Sequence, residues 1–174
     1  MALTNHKTQR GITLAETIVY AAVLAVLFVI VVHGLLELSR TYKSLTVSRR
    51  LTLSSTSLME RMTYEIRQAN DVDLSNSILN TSPGKLVLNT TLADGTPTTV
   101  EFSVSTSTLV MKQGGASLGS LTSASTTIDS VIFKLLTNGS VSKAVRVETQ
   151  ISATSGGYSK TAKLYNTIIL RGSY

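Results

Sequence analysis

Few side chains in this 174-residue sequence are placed to do chemistry, and the one in the most demanding position is Glu16. It stands two residues before a continuous apolar run that opens at Ile18. An ionised carboxylate within a membrane helix costs about 2.5–3.5 kcal/mol even on mild insertion scales, so Glu16 calls for a counter-charge or for hydration at headgroup level. Positions 12 and 16 share a helical face at i, i+4 spacing. The chemistry this suggests is ion pairing rather than bond breaking. Elsewhere the polar inventory is thin. His6 and His33 are isolated and there is no Cys, which leaves no zinc set and no disulfide framework. Asp71 and Asp73 beside Asn70 read as a turn at a helix end rather than a Ca²⁺ site. No glycine-rich loop joins a strand to a helix, so nucleotide binding is not expected. Asn80, Asn89 and Asn138 match the glycosylation acceptor pattern, which arises readily by chance in a chain rich in Ser and Thr. The sequence therefore predicts no catalytic residue, no metal and no cofactor, and its owner is not read as an enzyme.

The element that must position Glu16 is a long helix. From Thr17 to Leu36, twenty residues carry no formal charge apart from a possible one on His33. At about 1.5 Å per residue they span roughly 30 Å, the thickness of a bilayer core. Ahead of them lie Lys7 and Arg10 and no acid, so the positive-inside tendency keeps the N-terminus in the cytoplasm and exports the rest. A secretory signal would show a shorter apolar region and a small-x-small cleavage site, and "VVHGLLELSR" offers none.

Gly11, Ile12, Thr13, Leu14, Ala15 and Glu16, followed by the apolar run, resemble the prepilin signature of type IV pilins and of the pseudopilins of type II secretion. The resemblance covers residues 1 to 38, roughly a fifth of the chain. It implies cleavage after Gly11 by a membrane prepilin peptidase acting from the cytoplasmic side, which also methylates the new amine of Ile12. Cleavage creates an α-amino group of reference pKa about 8, a cation that suits a carboxylate. In such filaments the glutamate corresponding to Glu16 is thought to pair with the amine of a neighbouring subunit and to set axial register. The implied partners are the peptidase, other pilin or pseudopilin subunits, an assembly platform membrane protein and the lipid bilayer. Nucleic acid is not among them, since no aromatic-and-basic patch is visible. Two features depart from the pattern: Ile12 stands where Phe is usual, and the proline often found midway along such helices is absent, leaving Gly34 as the soft point. "SLMERMTYEIRQA" is similar to the corresponding helix of J-type minor pseudopilins and related minor pilins, which points to an initiating subunit.

Beyond the membrane the helix is expected to continue to about Ala69, since no proline interrupts it. Leu38, Tyr42, Leu45, Leu51, Leu58, Met62, Ile66 and Ala69 recur mostly at helical spacing and form the expected inner face, with Arg40, Lys43, Arg49, Arg50, Glu60, Arg61 and Arg67 on the other. The remaining hundred residues read as strands. "KLVLNTT" and "TTVEFSVS" flank the turn formers Asp94 and Gly95, and "TLVMK" precedes a second turn at "QGG". In "KAVRVETQIS", Val145, Val147 and Ile151 alternate with Arg146, Glu148 and Gln150, the mark of one buried and one wet face. Leu164, Ile168 and Leu170 are expected to point inward from a last strand.

These readings give an α+β fold: a leader at 1–11, a membrane or filament-core helix at 12–36, its amphipathic continuation at 37–70, a linker at 71–83, and an antiparallel β head of six short strands at 84–174. Two function classes stay open. The favoured one is a structural subunit, cleaved, stored in the cytoplasmic membrane with its head exported, and polymerised into a filament. The alternative is a single-span protein whose exported β domain binds a ligand or partner. The net charge of +6 is spread along the chain and decides neither.

Overall fold

The computed structural model describes residues 13–138 and 142–171. It opens with one helix, α1, Leu14–Gln68, whose 55 residues contain no proline and a single glycine, Gly34. Eight strands follow among the described residues: β1 Asp71–Val72, β2 Lys85–Thr91, β3 Pro97–Ser105, β4 Thr108–Gln113, β5 Ala116–Ser120, β6 Thr126–Asn138, β7 Ser142–Ser155 and β8 Tyr158–Ile169. The chain divides into two compact units, one ending at Tyr42 and the other comprising Lys43–Tyr174.

In the first unit the described residues are helical from Leu14 onward and, apart from half-buried Val32, exposed. In the second, α1 buries Val47, Leu51, Ser55, Leu58, Met62 and Ile66, in steps of three and four that keep one stripe on the core. Ser55 is tolerated there because its hydroxyl donates to the Leu51 carbonyl at 2.7 Å. The expected inner face holds from Leu51 to Ala69, but Leu38, Tyr42 and Leu45 are exposed. Leu45 sits two positions before Val47, which at about 100° per residue turns it away from the buried stripe.

The strands form two antiparallel sheets rather than one. The first has the order β1-β2-β3-β4-β5 and the second β6-β7-β8. Pairing of β2 with β3 sets Leu86 opposite Phe102 and Leu88 opposite Val100, and β4 adds Leu109 and Met111 to the same inner face. In the second sheet Phe133 pairs with Val147, and Val145 with Ile168, all buried as the alternation in β7 predicts. Both inner faces and the α1 stripe share one core. Between Val72 and Lys85 the chain does more than link. Asn80 and Gly84 donate their amides to the Phe133 and Val131 carbonyls of β6 at 2.8 and 2.9 Å, stitching the first sheet to the edge of the second. The approach is so close that a Cβ on Gly84 would lie 3.0 Å from Phe133 Cδ2.

One carboxylate lies in this packing. Glu65 on α1 has its side chain 9% exposed and meets Arg61 Nη2 at 2.6 Å. Burial pushes its pKa above the ordinary 4.5, and Arg61 offsets only part of that. The folded state therefore holds a proton that the unfolded state has released, so stability falls as pH rises from 4.5 through the raised folded value. Glu65→Gln is expected to match the native chain near pH 4 and to exceed it in midpoint of urea unfolding near pH 7. A loss near pH 7 that exceeds any loss near pH 4 would mean that the Arg61 contact outweighs burial.

Candidate functional site

The start of α1 is built from local sequence. Thr13 precedes the first helical residue, and its Oγ1 accepts the amide of Glu16 at 3.3 Å, satisfying one of the donors a helix start leaves unpaired. Thr17 turns its hydroxyl onto the Leu14 carbonyl at 2.8 Å. Glu16 thus occupies the third helical position of a Thr-x-x-Glu capping pattern, a signal present in the sequence and absent from the expectations above. In the first turn the helix dipole favours an anion by about 0.3–1 kcal/mol. The side chain is exposed, and its Oε1 accepts the Tyr20 phenol at 3.2 Å. Gly11 and Ile12, the expected cleavage and methylation positions, lie outside the described residues.

Behind this turn the helix has no apolar stripe, because it is apolar all round. Ile18, Leu24, Phe28 and Ile30 are all more than half exposed, and among the described residues this is the one helix long and apolar enough to cross a membrane. His33 is exposed on it.

The acids at the far end of α1 are engaged in structure. Asp71 accepts Lys143 Nζ through both oxygens at 2.7 and 2.8 Å, a contact that holds its pKa below the usual carboxylate range. Asp73 accepts the amides of Ser75 and Asn76 and the Asn76 side chain, which lowers its pKa likewise. Asn70 donates its side chain to Thr91. The turn expected here is what forms, and among the described residues no three acids or histidines come together as a metal set.

A second feature had no counterpart in the sequence reading. Between α1 and β8, the outer strand of its sheet, lies an open groove of about 760 Å³, walled by Met59, Thr63 and Arg67 on the helix and by Leu164 and Asn166 on the strand. Asn166 Nδ2 donates to Thr63 Oγ1 at 3.0 Å across its floor. The two walls are about a hundred positions apart in the chain, so no local pattern announces it.

Comparison of the chain with protein-family models, with curated proteins and with solved structures finds no match.

Proposed function

We propose that this chain is a filament subunit of the type IV pilin or pseudopilin design, anchored in the cytoplasmic membrane by residues 12–36, cleaved after Gly11 and polymerised with its β domain exported. The observation that carries the reading is Glu16: an exposed acid in the first turn of a helix that continues apolar on every side. Capping accounts for an acid in a first turn, but Thr13 already supplies the cap, and a carboxylate ahead of a membrane span still needs a counter-charge or water. The amine created by cleavage before Ile12 would supply the counter-charge. Support for a minor, initiating role comes from the resemblance of "SLMERMTYEIRQA" alone.

The groove beside β8 favours a second reading, in which the exported domain is an anchored binding module that never polymerises. Intact mass and N-terminal sequencing of the protein recovered from its own membranes separate the two. A chain that begins at Ile12 with one added methyl group is the expected result. A chain that still begins at Met1 or Ala2, in cells with an active prepilin peptidase, would sink the filament reading and leave the binding module.

A further inference from the structure

Two stretches of this chain carry basic residues and no acid, a feature the filament reading does not use. From Leu38 to Met59 there is no Asp or Glu, but there are Arg40, Lys43, Arg49 and Arg50. From Thr149 to the last residue there is again none, but there are Lys160, Lys163 and Arg171. Within the unit that begins at Lys43 the fold brings these two acid-free stretches together. Lys160 Nζ donates to Ser48 Oγ at 2.6 Å, and the stem of Lys43 lies against the β7–β8 turn, with its Cδ 3.4 Å from the position a Cβ on Gly156 would take. Gly156 and Gly157 adopt φ of +55° and +83°, left-handed values that make a tight turn and leave no side chain between it and Lys43. Lys43, Arg50, Gly156, Gly157 and Lys160 are all exposed. The acid on the adjoining strand, Asp129, accepts the Ser152 hydroxyl at 2.9 Å.

We propose that Lys43, Lys160 and the β7–β8 turn form a docking site for acidic phospholipid headgroups, which seats the exported domain on the membrane surface before assembly. The inference rests on the reading of residues 17–36 as a membrane span. Lys43 is the seventh residue after Leu36, a tether of roughly 10 Å as helix and roughly 25 Å at full extension. A headgroup layer adds about 5–7 Å to each side of the hydrocarbon core, so along the helical tether Lys43 stands within about a Debye length of it, and the turn packed on the Lys43 stem travels with that residue. Juxtamembrane Lys and Arg are attracted to an anionic surface and lose that attraction within a Debye length. Half-buried Tyr158, next after the turn, is of the residue type enriched at membrane interfaces. Lysines are point charges suited to a fluid field of phosphates rather than to one planar acid.

The test uses the full chain reconstituted into vesicles of phosphatidylcholine alone or with phosphatidylglycerol mixed in. Retention after alkaline extraction is read first, and backbone hydrogen exchange of residues 154–160 second. The expected result is retention in both membranes, with exchange of the turn about fivefold slower or more in the anionic one. That slowing should vanish in about 1 M salt and in the Lys43→Gln/Lys160→Gln double variant, which should still be retained. Extraction of the native chain would overturn the membrane span and the docking site together. Retention with equal exchange in the two membranes would overturn the docking site alone. Equal slowing by inorganic phosphate over neutral vesicles would show a free-anion site and overturn the lipid assignment, as would slowing that depends on protein density rather than on lipid charge.

Discussion

Phe133→Ala lowers the unfolding free energy of the Lys43–Tyr174 unit by about 3–5 kcal/mol, whereas Leu136→Ala on the same strand changes it by about 0.5 kcal/mol or less. Phe133 is fully buried; Leu136 is 44% exposed. The difference is not one of area alone. The Phe133 ring lies under Gly84, and its carbonyl receives the Asn80 amide, so it stands where the chain leading into the first sheet crosses the edge of the second. Removing the ring leaves a cavity that cannot close, because the backbone on one side is fixed by the Gly84 to Val131 hydrogen bond and the strand on the other by pairing with Val147. The measurement is hydrogen exchange of β2 and β7 amides in full-length protein in detergent micelles, with urea as the variable. Loss of protection in both sheets together is expected. Loss confined to β6–β8, or a penalty under about 1 kcal/mol, would mean that the sheets have separate cores.

That shared core also marks where the sequence stops being readable. The helix was legible in its extent, because fifty-five residues without proline leave the chain little reason to stop before Asn70. Its phase was not legible throughout. Leu38, Tyr42 and Leu45 are apolar at helical spacing, but the stripe that packs on the sheets begins at Val47 and includes the polar Ser55, which satisfies its hydroxyl on its own backbone. In the strands, period-two alternation identified the inner face of β7 and the inward residues of the last strand, and turn residues marked the β2–β3 hairpin. β5 escaped because "ASLGS" is exposed along its whole length and has no face to alternate. β1 escaped because two residues carry no period. The joining of the two sheets depends on contacts made by the segment before β2 with β6, about fifty residues away, and composition does not encode them. At the helix start the opposite happened: the Thr13-x-x-Glu16 cap was present in the letters, yet the acid drew attention for its charge and not for its position.

That double role of Glu16 defines the second large effect. Glu16→Ala removes both the charge and the third-position side chain of the capping pattern, so a loss of assembly in that variant alone would not say which one mattered. Glu16→Gln keeps a side chain that suits the capping pattern and can still accept the Tyr20 phenol, but it cannot pair with an amine. If the counter-charge sets the register of incoming subunits, Glu16→Gln and Glu16→Ala should both be cleaved normally and both fall at least about tenfold in the fraction recovered in filaments, equivalent to about 1.4 kcal/mol per subunit addition. Glu16→Asp should recover part of that loss, because charge persists at a shorter reach. If capping were the whole reason for the acid, Glu16→Gln would assemble like the native chain and Glu16→Ala would lose only a few tenths of a kcal/mol of helix stability. Mature-length protein in membranes and its share in sheared filaments read the two steps separately. Normal assembly of Glu16→Gln would remove the ion pair from the mechanism while leaving cleavage after Gly11 to be judged on its own.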